Sequence, residues 1–429
     1  MAQPAKQDQL PPTLTAGATA TSPVIPPATM RFAPYAYYTA MRRDRPVAHD
    51  DRYHLWSVYR YEDARRVLTD WQAFSSRRDI LGLARRPGME DLRRRQSLIT
   101  VDPPRHRQLR DLVSRAFTPR AIANLEARIT ALTNQMLDAV VPTGRMDLID
   151  DLAYPLPVTV IAEMLGVPSE DRPRFKRWSD QLVGAADDLY MEDAAVLAAA
   201  SRRLREEMDT YFCDVIARRR AEPRDDLITG LVFAEVEGER LSDDDILAFC
   251  ALLLVAGNIT TTNLIGNAIL CLLDHPEQQA RVRADPTLVP TLVEEVLRYE
   301  SPVQAVGRVA ARDVELGGQT VPRGDLVLAW IGSANRDPAI FPDPDRFDVA
   351  RTPNPHLAFG HGIHFCLGAP LARLEGRIAL AILLDRLQDV QRADSGPLEP
   401  TKGFILHGVK HLPLRFRARS VAQAPGRER

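Results

Sequence analysis

The sequence predicts a mainly α-helical fold with a small β-rich region, and three observations carry that prediction. Helix-period stretches cover residues 120–141, 152–165, 172–184 and 191–220, and two of the polar breaks beside them hold Pro168 and Pro223. A long apolar run, residues 246–273, has helical rather than strand length. Strand-like alternation is confined to short patches at 53–59, 303–311 and 326–331.

Composition bounds the function. The 429 residues allow two ordinary domains or one large domain built around an internal cofactor. Apolar residues make up 45% and charged residues 26%, enough for a sizeable core inside a water-soluble body. A net charge of −2 argues against nucleic acid as a partner. The spacing of Cys213, Cys250, Cys271 and Cys366 suggests no disulfide framework, so a reducing, cytoplasmic compartment is expected. Residues 1–29 read as a disordered leader, because no basic start precedes an apolar block. Residues 418–429 read as a flexible tail, which leaves 30–417 as one folded domain.

Taken in order, residues 35–43 and 62–70 are helical in period, with the strand-like patch at 53–59 between them. Residues 79–98 lose periodicity and carry Arg85, Arg86, Arg93, Arg94 and Arg95, a solvated loop. Pro103 and Pro104 open the next helix, where a missing N–H costs little, and His106 and Arg110 share one of its faces. Asp187, Asp188, Glu192 and Asp193 form an exposed acidic break.

Ser242 and Asp245 make a capping box at the head of the long apolar run, which stops before Pro276. Length alone would let that run cross a membrane, but Asn258, Thr260, Thr261, Thr262, Asn263 and Asn267 would then sit at mid-bilayer. The expected place is the centre of a large soluble protein. Glu295 and Arg298 lie three apart on a later helix and can pair, ahead of a proline-rich stretch at 341–347.

The chain is organised around residues 359–370, Phe-Gly-His-Gly-Ile-His-Phe-Cys-Leu-Gly-Ala-Pro. Cys366 stands at the start of a helical run, where unpaired N–H groups favour a thiolate. By itself a lone cysteine is more often a small buried hydrophobe than a ligand, and no second cysteine is near enough for a zinc pair.

The whole stretch resembles the haem-ligating loop of the cytochrome P450s, F-G-x-G-x-H-x-C-x-G, with each fixed position filled, and the resemblance covers about residues 30–417. It implies the P450 fold, a triangular helical prism with a small β-rich region. It implies haem b with Cys366 as the metal ligand, Phe359, Gly360 and Gly368 shaping the loop, and His106, Arg110, Arg308 and His364 binding the propionates. It further implies a buried ion triad of Glu295, Arg298 and Arg346 behind the cofactor.

Residues 256–261, Ala-Gly-Asn-Ile-Thr-Thr, resemble the family's oxygen groove, A-G-x-[D/E]-T-T, with Gly257, Thr260 and Thr261 as its catalytic positions and Thr260 as the proton-delivering threonine. The sequence departs from the pattern at Ile259, where the family places an acid that relays protons. At about 100° per residue position 259 faces away from the groove. Three explanations stay open: water or a polar substrate group delivers the protons, hydrogen peroxide supplies oxygen already reduced, or the acid was replaced deliberately or by drift and the enzyme is sluggish or uncoupled.

The activity so implied is monooxygenation, most often hydroxylation of a C–H bond, with O2 and a hydrophobic small-molecule substrate. Substrate-facing positions are Ile80, Leu81, Leu98, Leu253, Ala256, Val303, Gln304, Val306, Phe404 and Ile405. No flavin module follows the loop, so electrons are expected from a ferredoxin and an NAD(P)H-dependent ferredoxin reductase, with Arg105, Arg107, Arg115 and Arg120 offering a basic landing face. A monomer with no membrane partner is expected. The alternatives are a peroxide-driven peroxygenase and a non-enzymatic haem-thiolate sensor or binding protein.

Overall fold

The computed structural model describes residues 24–51, 55–77, 97–188 and 194–419. Helices dominate it, and strands gather at one side. Six helices position the site: α1 Arg105–Ala116, α2 Pro155–Met164, α3 Asp243–Ala256, α4 Ile259–Asp274, α5 Val289–Tyr299 and α6 Ala369–Arg386. The main sheet has five strands, β1 Val47–Asp50, β2 Leu55–Val58, β3 Phe74–Ser75, β4 Ala305–Ala310 and β5 Leu326–Trp330, in the order β1-β2-β5-β4-β3. Strand β5 runs parallel to β2 and antiparallel to β4, pairing Leu326 with Val309 and Trp330 with Ala305. A second sheet joins Leu387–Arg392, Pro413–Ala418 and Arg145–Asp147 in that order, with the early strand at its edge.

The long apolar run folds as two helices, α3 and α4, interrupted at Gly257 and Asn258. The capping box at its head is formed: Ser242 Oγ accepts from the Asp245 N–H at 3.2 Å, and the Asp245 carboxylate accepts from the Ser242 N–H at 3.0 Å. The interruption follows from side chains that compete with the backbone ladder. Asn258 Nδ2 donates to Ser179 Oγ at 2.6 Å, Thr260 Oγ1 to the Ala256 carbonyl at 2.8 Å, and Thr261 Oγ1 to the Gly257 carbonyl at 3.2 Å. Helix α4 passes the length-and-hydropathy test for a membrane span together with α3, yet nearly every residue from Thr261 to Leu272 is buried against neighbouring helices, α5 and α6 among them.

The boundaries shift at both ends. Residues 24–29, expected in the leader, belong to the folded body: Val24 is buried, and its carbonyl accepts from Ser57 Oγ at 2.9 Å. An apolar segment packed against the sheet has no compositional flag in a leader otherwise rich in proline and alanine. At the other end β-structure extends to Ala418, and the Arg419 N–H reaches the Arg386 carbonyl at 2.9 Å. Residues 1–23 and 420–429, the arginine-rich residues 78–96 and the acidic side chains near 190 lie outside what is described.

Candidate active site

Cys366 sits two residues past a short 3-10 turn, Gly362–His364, and three before α6. Its N–H bonds the Phe359 carbonyl at 2.9 Å, which closes the loop on itself. Gly362 has φ +72°, and a Cβ there would come within 3.0 Å of the Leu68 carbonyl oxygen, so this position needs glycine for conformation and for space. Burial pushes the Cys366 thiol up, while the Gly368 and Ala369 amides and Arg110 pull it down. The amides aimed at sulfur suit a thiolate, and a cation bound to that sulfur would offset the burial.

Facing this loop is a cavity of about 520 Å³ with mostly apolar walls, inside the usual range for small-ligand sites. At one edge His106 and His364 stack edge to face with ring centroids 4.3 Å apart, and Arg110 and Arg308 border the same cavity. His364 Nε2 meets Ser76 Oγ at 2.9 Å, and the buried His106 Nε2 has no partner. Burial, then Arg308, His106 and Arg110, push His364 down to about 3. Two arginines and two imidazoles at one edge, with the buried His106 Nε2 left without a partner, fit an anionic group such as a pair of carboxylates.

The opposite wall is the α3–α4 interruption. Gly257, Thr260 and Thr261 border the cavity, and Ile259 does not. The space that a Cβ at Gly257 would take is held by Ile161 of α2, whose Cδ1 lies 2.5 Å from that position. The glycine lets α2 approach the break, because no other residue would let those helices touch there.

Behind the loop, Glu295 and Arg298 are fully buried and joined by two hydrogen bonds of 2.8 Å. The third member of the triad is Arg351, not Arg346. Arg351 Nε lies 3.1 Å from Glu295 Oε1, while Arg346 contributes only its carbonyl, which accepts from Arg298 Nη2 at 3.1 Å, and is itself exposed. The proline-rich stretch turns Arg346 outward and brings the chain back five residues later. A second carboxylate, Glu294, ties α5 to α6 through Arg373 at 2.7 Å and His356 at 3.1 Å. Burial opposes its charge, but those two partners hold Glu294 down to about 2.

Six of the expected substrate-facing residues border the cavity: Leu98, Leu253, Ala256, Val303, Val306 and Ile405. Ile80 and Leu81 lie outside the described residues. Gln304 and Phe404 face away. Gln304 Oε1 accepts from Tyr38 Oη at 3.1 Å and its Nε2 donates to the Ser301 carbonyl at 2.8 Å, while Phe404 packs on Trp330 with centroids 5.8 Å apart. Extended chain alternates its sides, so Val303 and Ile405 look in where their neighbours look out. Of the basic landing residues, Arg105 is tied to Asp245 at 2.5 Å and Arg107 lies 3.7 Å from Asp111. The sequence reading missed Ser76, Glu294, Arg373, Arg351 and Glu375.

A cysteine thiolate loop, an anion-binding edge and a broken helix across one apolar cavity define the site of a thiolate-haem oxygenase. Residues 49–412 match the family model described as Cytochrome P450. The chain belongs to the cytochrome P450 family, in its bacterial class I branch, and is a haem-thiolate monooxygenase. It is 45% identical over 387 residues to Cytochrome P450 109 of Bacillus spizizenii, covering 90% of this chain and 92% of that one. Its fold superposes on CYP109Q5 from Chondromyces apiculatus with a TM-score of 0.84 at 44% identity, over 92% of this chain and 98% of the other. CYP109E1 from Bacillus megaterium, solved in complex with testosterone, gives 0.80 at 41%, over 90% and 99%. The fold is therefore the triangular helical prism of that family, and the non-enzymatic sensor reading falls with the family assignment.

Proposed function

We propose that the chain hydroxylates a hydrophobic small molecule with one oxygen atom of O2, using haem b held by Cys366. The observation that carries this reading is the apolar cavity between the Cys366 loop and the α3–α4 interruption. When bound, thiolate-ligated haem supplies oxygen activation, since the thiolate pushes electron density toward iron and favours O–O cleavage.

The chain's own residues do the rest. Cys366 provides the ligand, and the Gly368 and Ala369 amides support its charge. Arg110 and Arg308 would supply positive charge to the propionates and His106 and His364 would hydrogen-bond them, with Ser76 orienting His364. Leu98, Leu253, Val303, Val306 and Ile405 exclude water and hold the substrate by contact area, with Ala256 opening space above the groove. Thr260 and Thr261 are the hydroxyls available at the reacting side. The testosterone complex of CYP109E1 supports a rigid, multi-ring substrate of steroid size as the first class to test.

Electrons come from a ferredoxin and its NAD(P)H-dependent reductase, and the protein works as a cytoplasmic monomer. Ile259 favours one second reading, a peroxide-driven peroxygenase, because an isoleucine relays no proton. A steroid and terpenoid library is screened twice, once with ferredoxin, reductase and NADPH and once with hydrogen peroxide alone. Product in the first arm is expected. Product in the second arm only would establish the peroxygenase, and no product in either would overturn both readings.

A further inference from the structure

Ile405 reaches the cavity from a stretch that forms no regular strand. Two isolated β-bridges, Val303 with Leu406 and Pro400 with Val409, hold it to its neighbours. The Gln304 N–H meets the Ile405 carbonyl at 2.7 Å, and the His407 N–H meets the Pro302 carbonyl at 2.9 Å. From α4, Asn267 Nδ2 donates to the His407 carbonyl at 3.1 Å and to the Glu300 carbonyl at 3.0 Å.

Two residues beyond Ile405 the stretch gains a side-chain anchor. The His407 imidazole is buried, and its Nε2 lies 2.6 Å from Oε2 of Glu300, the residue after α5. The same carboxylate accepts from Tyr35 Oη at 2.6 Å and from Arg336 Nη2 at 3.0 Å. Phe32 stacks on the imidazole with centroids 5.9 Å apart, and Tyr35 meets it edge to face at 6.3 Å. Burial opposes a charge on Glu300, but His407, Arg336 and Tyr35 hold it below the usual carboxylate range. A carboxylate only accepts, so His407 Nε2 carries the hydrogen of their bond.

This bond ties the Ile405 stretch to the end of α5 and to the helix Tyr35–Asp44. Without it the stretch keeps its bonds to Pro302, Gln304 and Asn267 but loses the side-chain anchor beside Ile405. His407 and Glu300 do not border the cavity, whereas Ile405 does. An effect of the pair on ligand binding therefore runs through the placement of Ile405.

We propose that His407 is a positioning residue: its bond to Glu300 sets where Ile405 stands in the cavity wall, and so which ligands the cavity accepts. The proposal rests on the monooxygenase reading above.

The test uses the haem-loaded enzyme and two probes, N-methylimidazole and N-(biphenylmethyl)imidazole. Both bind haem iron through the ring nitrogen, but only the second has an apolar body to fill the cavity. Spectral dissociation constants are measured for wild type, His407→Ala, His407→Gln, Ile405→Ala and the His407→Ala, Ile405→Ala double variant. His407→Ala should weaken the biphenyl probe on the order of tenfold and leave N-methylimidazole unchanged. His407→Gln, whose amide N–H replaces the imidazole donor, should bind as wild type does. In the Ile405→Ala background His407→Ala should have no further effect. Should His407→Ala not take up haem, His407→Phe, which keeps a ring against Phe32 without the bond, takes its place. No loss on the biphenyl probe, an equal loss on both probes, or the same loss with and without Ile405 overturns the proposal and leaves the monooxygenase reading intact. A missing carbon monoxide spectrum in wild type would instead overturn that reading.

Discussion

Arg351 Nε lies 3.1 Å from Glu295 Oε1, and this contact closes a buried triad that also includes Arg298. Glu295 accepts in addition from the Asp348 N–H at 2.9 Å and from Asn354 Nδ2 at 3.2 Å, so one carboxylate gathers the proline-rich stretch onto α5. Removing a single partner from a buried pair leaves an uncompensated charge. Arg351→Ala should lower stability by roughly 3–5 kcal/mol in urea unfolding and reduce haem uptake. Arg346→Ala should change stability by no more than about 0.5 kcal/mol, because its exposed side chain holds nothing in the triad. Equal losses in the two variants would contradict this assignment.

Gln304 separates packing from recognition. Its amide is spent on Tyr38 and Ser301, and a Cβ on Gly332 would lie 1.9 Å from its Oε1. Gln304→Ala should cost roughly 1–3 kcal/mol of stability through the orphaned buried groups, with the dissociation constant of a bound substrate unchanged. Val306→Phe should do the reverse, altering substrate affinity or the position of oxidation with little change in unfolding. Spectral titration alongside thermal melts distinguishes the two.

The space beside Gly257 belongs to Ile161. Gly257→Ala should therefore destabilise the protein by overpacking, typically about 1–3 kcal/mol. Ile161→Ala in the same chain should recover part of that loss by making room. If the double variant is no more stable than the sum of its parts, the clash lies elsewhere.

Glu375 makes stability fall with rising pH. Its carboxyl titrates near 4.5 when unfolded and is pushed up to about 8 by burial in the folded protein. Below pH 4.5 both states hold the proton and the group is neutral with respect to folding. Between these values the unfolded chain loses its proton and the folded one keeps it, so stability declines as pH rises and levels off above 8. The melting temperature of Glu375→Gln relative to wild type should rise from pH 5 to pH 8. A constant difference across that window would show that the group is ionised throughout.

How much of this was legible in the sequence depends on whether a residue's role is local. The Cys366 loop and the Ser242–Asp245 capping box are defined by neighbours within a few positions, and both form in the expected way. The interruption at Gly257 and Asn258 needs Ser179, far away in sequence, so the apolar run alone read as one helix. Arg351 was hidden because an aperiodic, proline-rich stretch carries no facing rule, and the nearer arginine at 346 was the natural guess. The orientation of Gln304 and Phe404 is set by strand phase, which β-bridging between residues 303 and 406 decides. Glu375 did leave a signal: a carboxylate between Leu371, Leu374 and Ala379 on the buried face of an apolar helix. Such a residue is either paired or neutral, and no arginine within reach of its own helix was there to pair it.

The central claim is that Cys366 is the axial ligand of a haem, and one measurement tests it most directly. Reduced protein is exposed to carbon monoxide, and the Soret absorption of wild type is compared with that of Cys366→His. Wild type should give the long-wavelength thiolate band, and the variant should lose it, leaving a band of histidine-ligated type or no bound haem. Identical bands in the two proteins would contradict the account.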